Sequence, residues 1–211
     1  MIKYKKFVFL PEYGTNTYLI WETESKEAML VDMAAPSNKI FNELKDLNLK
    51  YLINTHGHAD HIGGNKFVKS NFKVKLMIHQ NDVGMLSDAR QNLSSYMGAG
   101  ITSPPADIIV SDGEIFKLGN SEFKIIHTPG HTKGGICLLF DKIIVTGDTL
   151  FQESIGRTDF PGGSFTEIKN SIQKKLFILD EKLVVLPGHN NITTIGDEKI
   201  GNPFVGLYAN Y

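Results

Sequence analysis

The chain lacks several features that would place it in common protein classes. Its single cysteine, Cys137, excludes a disulfide within the chain and is typical of a reducing compartment, so we expect a cytoplasmic protein. The formal net charge is −1 and the basic residues are dispersed, which argues against a nucleic-acid partner. No apolar run approaches the ~18 residues of a membrane span, and the N-terminus lacks the apolar stretch of a signal peptide. We therefore expect a soluble protein without a membrane partner, and a monomer, since nothing in the sequence demands assembly.

Apolar residues make up 41% of the chain, and their pattern predicts a layered α/β domain. Short runs such as AMLVDM, YLINT and KIIVTGD predict strands, and Cys137 lies in another such run, where we expect a buried structural thiol. The segment SFTEIKNSIQKKLFIL places apolar residues at the spacing of one helix face. Because no linker or low-complexity tract interrupts this pattern, we predict a single domain over residues 1–211.

The first half also contains two further helix predictions and one irregular segment. SNKIFNELKDL has helical spacing after a capping serine, and QNDVGMLSD predicts a short helix. Residues 89–106 show no periodicity and contain two consecutive prolines. Long irregular segments inside compact domains are often functional lids, so this segment is interpreted either as a lid or as a disordered excursion.

The segment THGHADHIGG concentrates metal-binding side chains. Three histidines and an aspartate occupy six positions: His56, His58, Asp60 and His61. Imidazole and carboxylate groups bind transition metals and carry protons near neutral pH. On a strand His56 and His58 would point to the same side, and Gly63 and Gly64 allow the tight turn that must follow. The cluster therefore predicts a metal site.

Three further candidates end apolar runs later in the chain. His131 follows IIHTPG, Asp148 follows IIVTG, and His189 follows LVVLPG. Sites in open α/β sheets collect beyond the carboxyl ends of strands, so we expect these side chains to converge on the first motif. Five histidines and two aspartates then predict a dinuclear site. Nitrogen and oxygen ligands without thiolates suit two divalent metal ions, with zinc expected first and iron or manganese also accommodated.

The motifs THGHADH, TPGHT, TGDTLF and LPGH, in this order, resemble the motif series of the metallo-β-lactamase superfamily. The resemblance covers the chain from Asp32 onward and implies an αββα sandwich, with the metal ions at one edge between the sheets. It implies a first metal ion on His56, His58 and His131, a second on Asp60, His61 and His189, and Asp148 as the bridge. Asp32 matches an early aspartate of the superfamily and would orient a ligand imidazole without binding metal itself.

Within the superfamily, GDTLFQESIGRTDFPGGS and the tail TTIGDEKIGNPF resemble the hydroxyacylglutathione hydrolases, the type II glyoxalases. The resemblance is to a short bacterial branch without the C-terminal helical domain. It implies a thioesterase that cleaves S-lactoylglutathione by attack of a metal-bound hydroxide on the thioester carbonyl. Asp60 would orient that hydroxide or accept its proton. Arg157 is a candidate for binding a substrate carboxylate, although a salt bridge to Asp159 is the alternative.

Other functions and residue roles remain open from the sequence. A mononuclear iron persulfide dioxygenase shares a GRTDF-like segment, and a lactonase or β-lactamase-like hydrolase shares the ligands. Metal number and substrate distinguish these enzymes from a glyoxalase. We expect Tyr13, Tyr18 and Phe160 to serve packing rather than to line the mouth of the site. We expect His79 and His127 not to bind metal, because both lie outside the motifs.

Overall fold

The structure, a computed structural model, describes residues 1–98 and 100–209. A first sheet contains six strands in chain order, and the last four of them run parallel to one another. The strands are β1 (Ile2–Leu10), β2 (Thr15–Glu22), β3 (Glu27–Val31), β4 (Asn48–Ile53), β5 (Lys75–His79) and β6 (Ile108–Val110). The helices among them are α1 (Lys39–Glu43), α2 (Ala59–Ile62) and α3 (Asn65–Asn71).

A second sheet is built from the following part of the chain, in the order β14-β13-β10-β9-β8-β7. Its strands are β7 (Ile115–Leu118), β8 (Ser121–His127), β9 (Ile136–Leu139), β10 (Ile143–Gly147), β13 (Val184–Pro187) and β14 (Thr193–Thr194). Two short strands, β11 (Leu150–Phe151) and β12 (Ser154–Ile155), pair with each other. The helices are α4 (Phe165–Ser171), which continues through a π turn at Ile172–Leu176, and α5 (Ile195–Gly201).

Three clusters of buried apolar side chains hold these layers together. One lies between the sheets, where Ile53 of β4 and Phe123 of β8 belong to the same cluster. A second joins the outer face of the first sheet to its helices, through side chains such as Leu52 and Val68. The third joins the second sheet to Ile168 of α4 and to α5. The order of layers is helix, sheet, sheet, helix, so the predicted αββα sandwich is confirmed.

Several local predictions differ from the structure in extent. The helix predicted from Ser37 is only α1, and QNDVGMLSD forms a 3₁₀ segment at Gln80–Leu86 rather than an α-helix. The long helix predicted after Gly163 changes to a π turn at Ile172. Cys137 is buried in β9, and burial raises the pKa of its thiol to about 11, as a structural thiol requires. None of the helices in the described residues has the length and apolarity that a bilayer crossing needs.

Strand direction places the predicted ligands. In the first sheet, β3 ends just before Asp32 and its parallel neighbour β4 ends just before the THGHADH motif. In the second sheet, β10 and its parallel neighbour β13 end just before Asp148 and His189. The carboxyl ends of adjacent parallel strands lie at the same edge of a sheet, so each sheet delivers its motifs to one edge of the sandwich.

Candidate metal centre

All seven predicted ligands belong to one cluster of side chains. Within three overlapping groups, each residue offers a ligand atom and these atoms lie within 4.8 Å of one another. The groups are His56, His58 and His131; His56, His61 and Asp148; and Asp60, His61 and His189. The first and third groups are the two ligand triads that the motif resemblance implied. The fold therefore brings together residues up to 133 positions apart in the chain, from His56 to His189.

Asp148 lies between the two triads. Its Oδ2 is 3.5 Å from His131 Nε2, in the first triad, and 3.3 Å from His189 Nε2, in the second. Its Oδ1 is 3.5 Å from His61 Nε2. A single carboxylate within reach of both triads is the arrangement that a bridging ligand needs.

The inward atoms of the cluster have the properties of metal ligands. His56 Nε2 and Asp148 Oδ1 are buried and have no hydrogen-bond partner among the described residues. Buried polar atoms without a partner are rare in folded proteins because each costs about 1–3 kcal/mol. Elsewhere in the cluster two ring nitrogens face each other directly, with His58 Nδ1 only 2.9 Å from His131 Nε2. These nitrogen and oxygen donors, without a thiolate, fit two divalent ions such as zinc, iron or manganese.

The outward nitrogens of four ligand histidines are anchored to oxygen acceptors. The pairs are His56 Nδ1 with Thr55 Oγ1 at 3.2 Å, His61 Nδ1 with Asp32 Oδ2 at 3.0 Å, His131 Nδ1 with the Arg157 carbonyl at 2.8 Å, and His189 Nδ1 with the Tyr13 carbonyl at 3.0 Å. A hydrogen on Nδ1 leaves the lone pair on Nε2, which is the nitrogen that points inward. The protein thus fixes both the ring orientation and the tautomer that metal binding requires.

Asp32 acts from outside the cluster of ligand atoms. Its Oδ1 accepts a hydrogen bond from the Thr55 amide at 2.8 Å, and its Oδ2 accepts from Thr55 Oγ1 at 2.6 Å as well as facing His61. The residue is buried and has a positive φ of 53°, a conformation that aspartate adopts more readily than most residues. Asp32 thus contacts the Nδ1 atom of His61, and the orienting role that the motif resemblance implied stays a prediction.

Burial and mutual charge divide the site into two kinds of histidine. Burial, together with the neighbouring His131, lowers the pKa of His58 to about 3, and burial lowers the pKa of His56 as well. Burial alone would lower the pKa of His189, but the Asp148 and Asp60 carboxylates raise it to about 9. The pKa of His61 is raised for the same reason, chiefly by Asp60. In the metal-free protein, His56 and His58 are therefore unprotonated at neutral pH, whereas His61 and His189 carry protons.

Comparison with known proteins agrees with this geometry. A family model described as the metallo-β-lactamase superfamily matches residues 10–189. The chain belongs to the metallo-β-lactamase superfamily. Hydroxyacylglutathione hydrolase GloC from Haemophilus influenzae is 37% identical over 203 residues, which cover 92% of this chain and 93% of that protein.

Solved structures of the superfamily also resemble the chain closely. The crystal structure of BLEG-1 B3 metallo-β-lactamase has a TM-score of 0.91 at 34% identity and covers 96% of this chain and 99% of its own. The crystal structure of TTHA1623 in a di-iron-bound form has a TM-score of 0.79 at 28% identity and covers 90% and 94%. The family match and the site geometry together identify a metal-dependent hydrolase of the metallo-β-lactamase fold. Its histidine and aspartate clusters are suited to two metal ions.

A cavity of about 660 Å³ opens in front of the candidate metal ligands. Besides the candidate ligands, it is lined by Tyr13, Asn92, Leu93, Tyr96, Arg157, Phe160 and Pro161. Phe160 packs edge-on against the His58 ring, with centroids 5.7 Å apart. The expectation that Tyr13 and Phe160 serve only packing is therefore wrong, because both line the mouth. Tyr18 is buried in the core as expected, and its hydroxyl donates to the Pro187 carbonyl.

Arg157 lies at the mouth of the cavity and is paired within its own loop. Its Nε and one terminal nitrogen donate to the two carboxylate oxygens of Asp159, at 2.8 and 2.6 Å. The guanidinium also lies 3.9 Å from the centre of the Phe160 ring. The alternative salt bridge is thus present, and substrate binding by Arg157 stays a prediction.

The irregular segment predicted as a lid or as disorder borders the cavity. Buried Asn92 holds it, because its side-chain amide donates to the carbonyls of Met85 and Ile101, both at 2.9 Å. The Asn92 carbonyl accepts from the amide of Ala59, between two ligand residues. Leu93, with a positive φ of 69°, and Tyr96 then line the cavity wall. The described part of this segment therefore borders the cavity, and its function as a lid stays a prediction.

Sequence analysis missed some residues that support the ligands. Thr15 Oγ1 donates to Asp60 Oδ2 at 2.7 Å, although the two are 45 positions apart. Asn92 and the buried Asp82 also lie in no recognisable motif. His79 and His127 stack on each other with ring centroids 4.1 Å apart and belong to none of the metal-ligand groups among the described residues. That they do not bind metal stays a prediction.

Proposed function

We propose that this protein is a dinuclear metal-dependent thioester hydrolase that cleaves small hydroxyacyl thioesters such as S-lactoylglutathione. The observation that carries the proposal is the pair of ligand triads with a shared aspartate at the base of an open cavity. The similarity to GloC, a hydroxyacylglutathione hydrolase of nearly the same length, supports this substrate class.

The ligand assignment follows the geometry. His56, His58 and His131 would hold one ion, and Asp60, His61 and His189 would hold the other, with Asp148 contacting both. Two divalent ions in such a site supply a water-derived nucleophile at neutral pH and positive charge for a developing oxyanion. Asp60 borders the cavity and is fixed by Thr15, so we assign it to the second ion and to orienting the attacking water.

The rest of the cavity suits a thioester. Its volume of about 660 Å³ lies within the range of small-molecule sites. A thiolate is a good leaving group, so the reaction does not require a strong general acid. Leu93, Tyr96 and Phe160 contribute largely apolar surface to the lining of the cavity. We assign Arg157 to a carboxylate of the substrate, which would replace Asp159 as its partner.

A β-lactam is the second candidate substrate, because the B3 metallo-β-lactamase BLEG-1 has nearly the same backbone. Hydrolysis of an amide in a strained ring uses the same ligands and differs in the leaving group. An assay must therefore decide between the two substrates.

The test combines metal counting with substrate hydrolysis on one purified sample. We expect two metal ions per chain by elemental analysis and loss of the ultraviolet thioester absorbance of S-lactoylglutathione. The same sample is assayed with a chromogenic cephalosporin and, by oxygen uptake, with glutathione persulfide. Two ions with cephalosporin hydrolysis alone would replace the thioester by a β-lactam. One iron with oxygen uptake and no hydrolysis would refute the hydrolase and indicate a persulfide dioxygenase.

A further inference from the structure

A buried carboxylate outside the ligand set lies between the two loops that carry the first triad. Asp82 is 1% exposed and belongs to the 3₁₀ segment that follows β5. Its Oδ2 accepts hydrogen bonds from the Gly57 amide at 3.1 Å and from Thr132 Oγ1 at 2.7 Å. Its Oδ1 accepts from the Gly134 amide at 2.7 Å.

These donors stand beside the ligands of the first triad. Gly57 is the residue between His56 and His58, and Thr132 directly follows His131. The two loops come from different sheets, one after β4 and the other between β8 and β9. One carboxylate therefore joins the two parts of the chain that must meet for three imidazoles to converge.

Close approach of the backbones supports a specific fit. A side chain at Gly57 would collide with Cβ of Met85, which belongs to the same 3₁₀ segment as Asp82. A Cβ at Gly134 would lie 2.6 Å from Asp82 Cγ. Both ligand loops thus touch this segment at positions where only glycine fits, so the segment serves as a template for their spacing.

Asp82 forms no salt bridge with any of the residues that the structure describes. Its three donors are two backbone amides and one hydroxyl, all neutral. Burial raises the pKa of Asp82, and the hydrogen bonds from Thr132, Gly134 and Gly57 only partly oppose the effect. A buried carboxylate without a cationic partner is costly, and retained examples concentrate at functional sites.

We propose that Asp82 is a positioning residue for the first metal ion, because it fixes the spacing between His56, His58 and His131 before the metal binds. The inference rests on the metal site of the proposed function and is independent of the thioester substrate. Mutation of a residue that hydrogen-bonds to a metal ligand typically lowers metal affinity by about 10–100-fold. The same loss is expected here, confined to one of two ions.

The test is titration of the metal-free protein with cobalt(II), followed by its absorption spectrum and by competition with a chelator. In Asp82→Asn one amide N–H would face a backbone N–H, which breaks one of the three contacts. We expect about 10–100-fold weaker binding of one cobalt ion with the other nearly unchanged. Because this variant alone could fold poorly, Thr132→Val removes one donor to Asp82 while keeping the shape, and Thr132→Ser restores the hydroxyl and the affinity.

Glu198→Gln provides a matched control. Glu198 is also buried and accepts from three neutral donors, namely Thr193 Oγ1, the Asn202 side-chain amide and the Glu153 amide, none of them beside a ligand. We expect this variant to lose stability and to bind both cobalt ions as the wild type does. Equal loss of affinity in the control, or unchanged affinity in both Asp82→Asn and Thr132→Val, would overturn the inference. A wild type that binds two cobalt ions but cleaves no thioester would refute only the proposed substrate, since the affinity comparison still decides the role of Asp82.

Discussion

Replacement of Asp32 by asparagine tests how the site sets the tautomer of a ligand. In Asp32→Asn the side-chain oxygen can still accept from the Thr55 amide, and the new amide group can donate to the Thr55 hydroxyl. The contact with His61 fails, because the asparagine N–H and the hydrogen on His61 Nδ1 are both donors. His61 is protonated on both nitrogens in the metal-free site, so it can relieve this conflict by losing the hydrogen on Nδ1 and keeping the one on Nε2. That nitrogen is the inward atom, 3.4 Å from Asp60 and 3.5 Å from Asp148.

The magnitude follows from two separate effects. In the metal-free protein, one buried donor loses its acceptor, so we expect the free energy of unfolding to fall by about 1–3 kcal/mol. Binding of the second ion must then also reverse the tautomer of His61, and we expect its affinity to fall by about 10–100-fold. The first ion should be affected less, since Asp32 touches its triad only through Thr55 and His56.

Urea unfolding without metal and cobalt titration measure these effects independently. The Glu198→Gln variant again controls for the loss of a buried carboxylate. The reasoning is refuted if Asp32→Asn binds both ions with wild-type affinity, because the tautomer of His61 would then not depend on Asp32. It is also refuted if the first ion is lost before the second.

Four further outcomes are expected. His58→Ala should remove the first ion and most hydrolysis, and full activity with unchanged metal content would contradict the ligand assignment. Asp148→Ala should lower the binding affinity of both metal ions, whereas loss of only one ion would exclude a bridging role for Asp148. Arg157→Ala should raise KM for S-lactoylglutathione with little change in kcat, and a lower Tm with unchanged KM would show that the Asp159 pair only stabilises the loop. The pKa of His189 is raised from 6.5 to about 9, so its protonation stabilises the metal-free fold fully below pH 6.5, and this stabilisation is lost as the pH rises through about 9. The free energy of unfolding of the metal-free protein should therefore fall across that pH range. Cobalt affinity should rise over the same range because fewer protons are displaced on binding.

The seven ligand candidates could be predicted from sequence because each belongs to a short local pattern. Each motif is short: it combines an apolar run, a glycine that allows a close turn, and a histidine or aspartate directly after it. Strands such as β10 are likewise recognisable, since their residues are buried on both faces and read as continuous apolar runs. The layered α/β class and the seven ligand candidates thus follow from local information plus the rule on strand ends, whereas the αββα order of layers and the two triads came from the motif resemblance.

The supporting residues could not be predicted in this way. Thr15 meets Asp60 across 45 positions and Asp82 meets Thr132 across 50, so no local spacing links either pair. Helix extent also escaped, because the segment after Ser171 keeps helical periodicity while its backbone forms a π turn. The positions of Tyr13 and Phe160 depend on how the loops meet over the ligands, which only tertiary structure determines.

The anchors of the ligand side chains come from both sheets, and this links metal binding to folding. Four anchors belong to the first sheet or directly follow its strands: Tyr13 and Thr15 at the start of β2, Asp32 after β3, and Asp82 after β5. The Arg157 carbonyl follows the strand pair β11–β12 beside the second sheet. No sheet alone contains either complete triad, since His131 and His189 join ligands from the first sheet. The site therefore exists only when the sheets are packed together. Ions that bind only this packed state stabilise it by mass action, about 2.7 kcal/mol for one site at 100 times its Kd, so Tm should rise with free metal concentration in the wild type and less steeply in Asp32→Asn and Asp82→Asn.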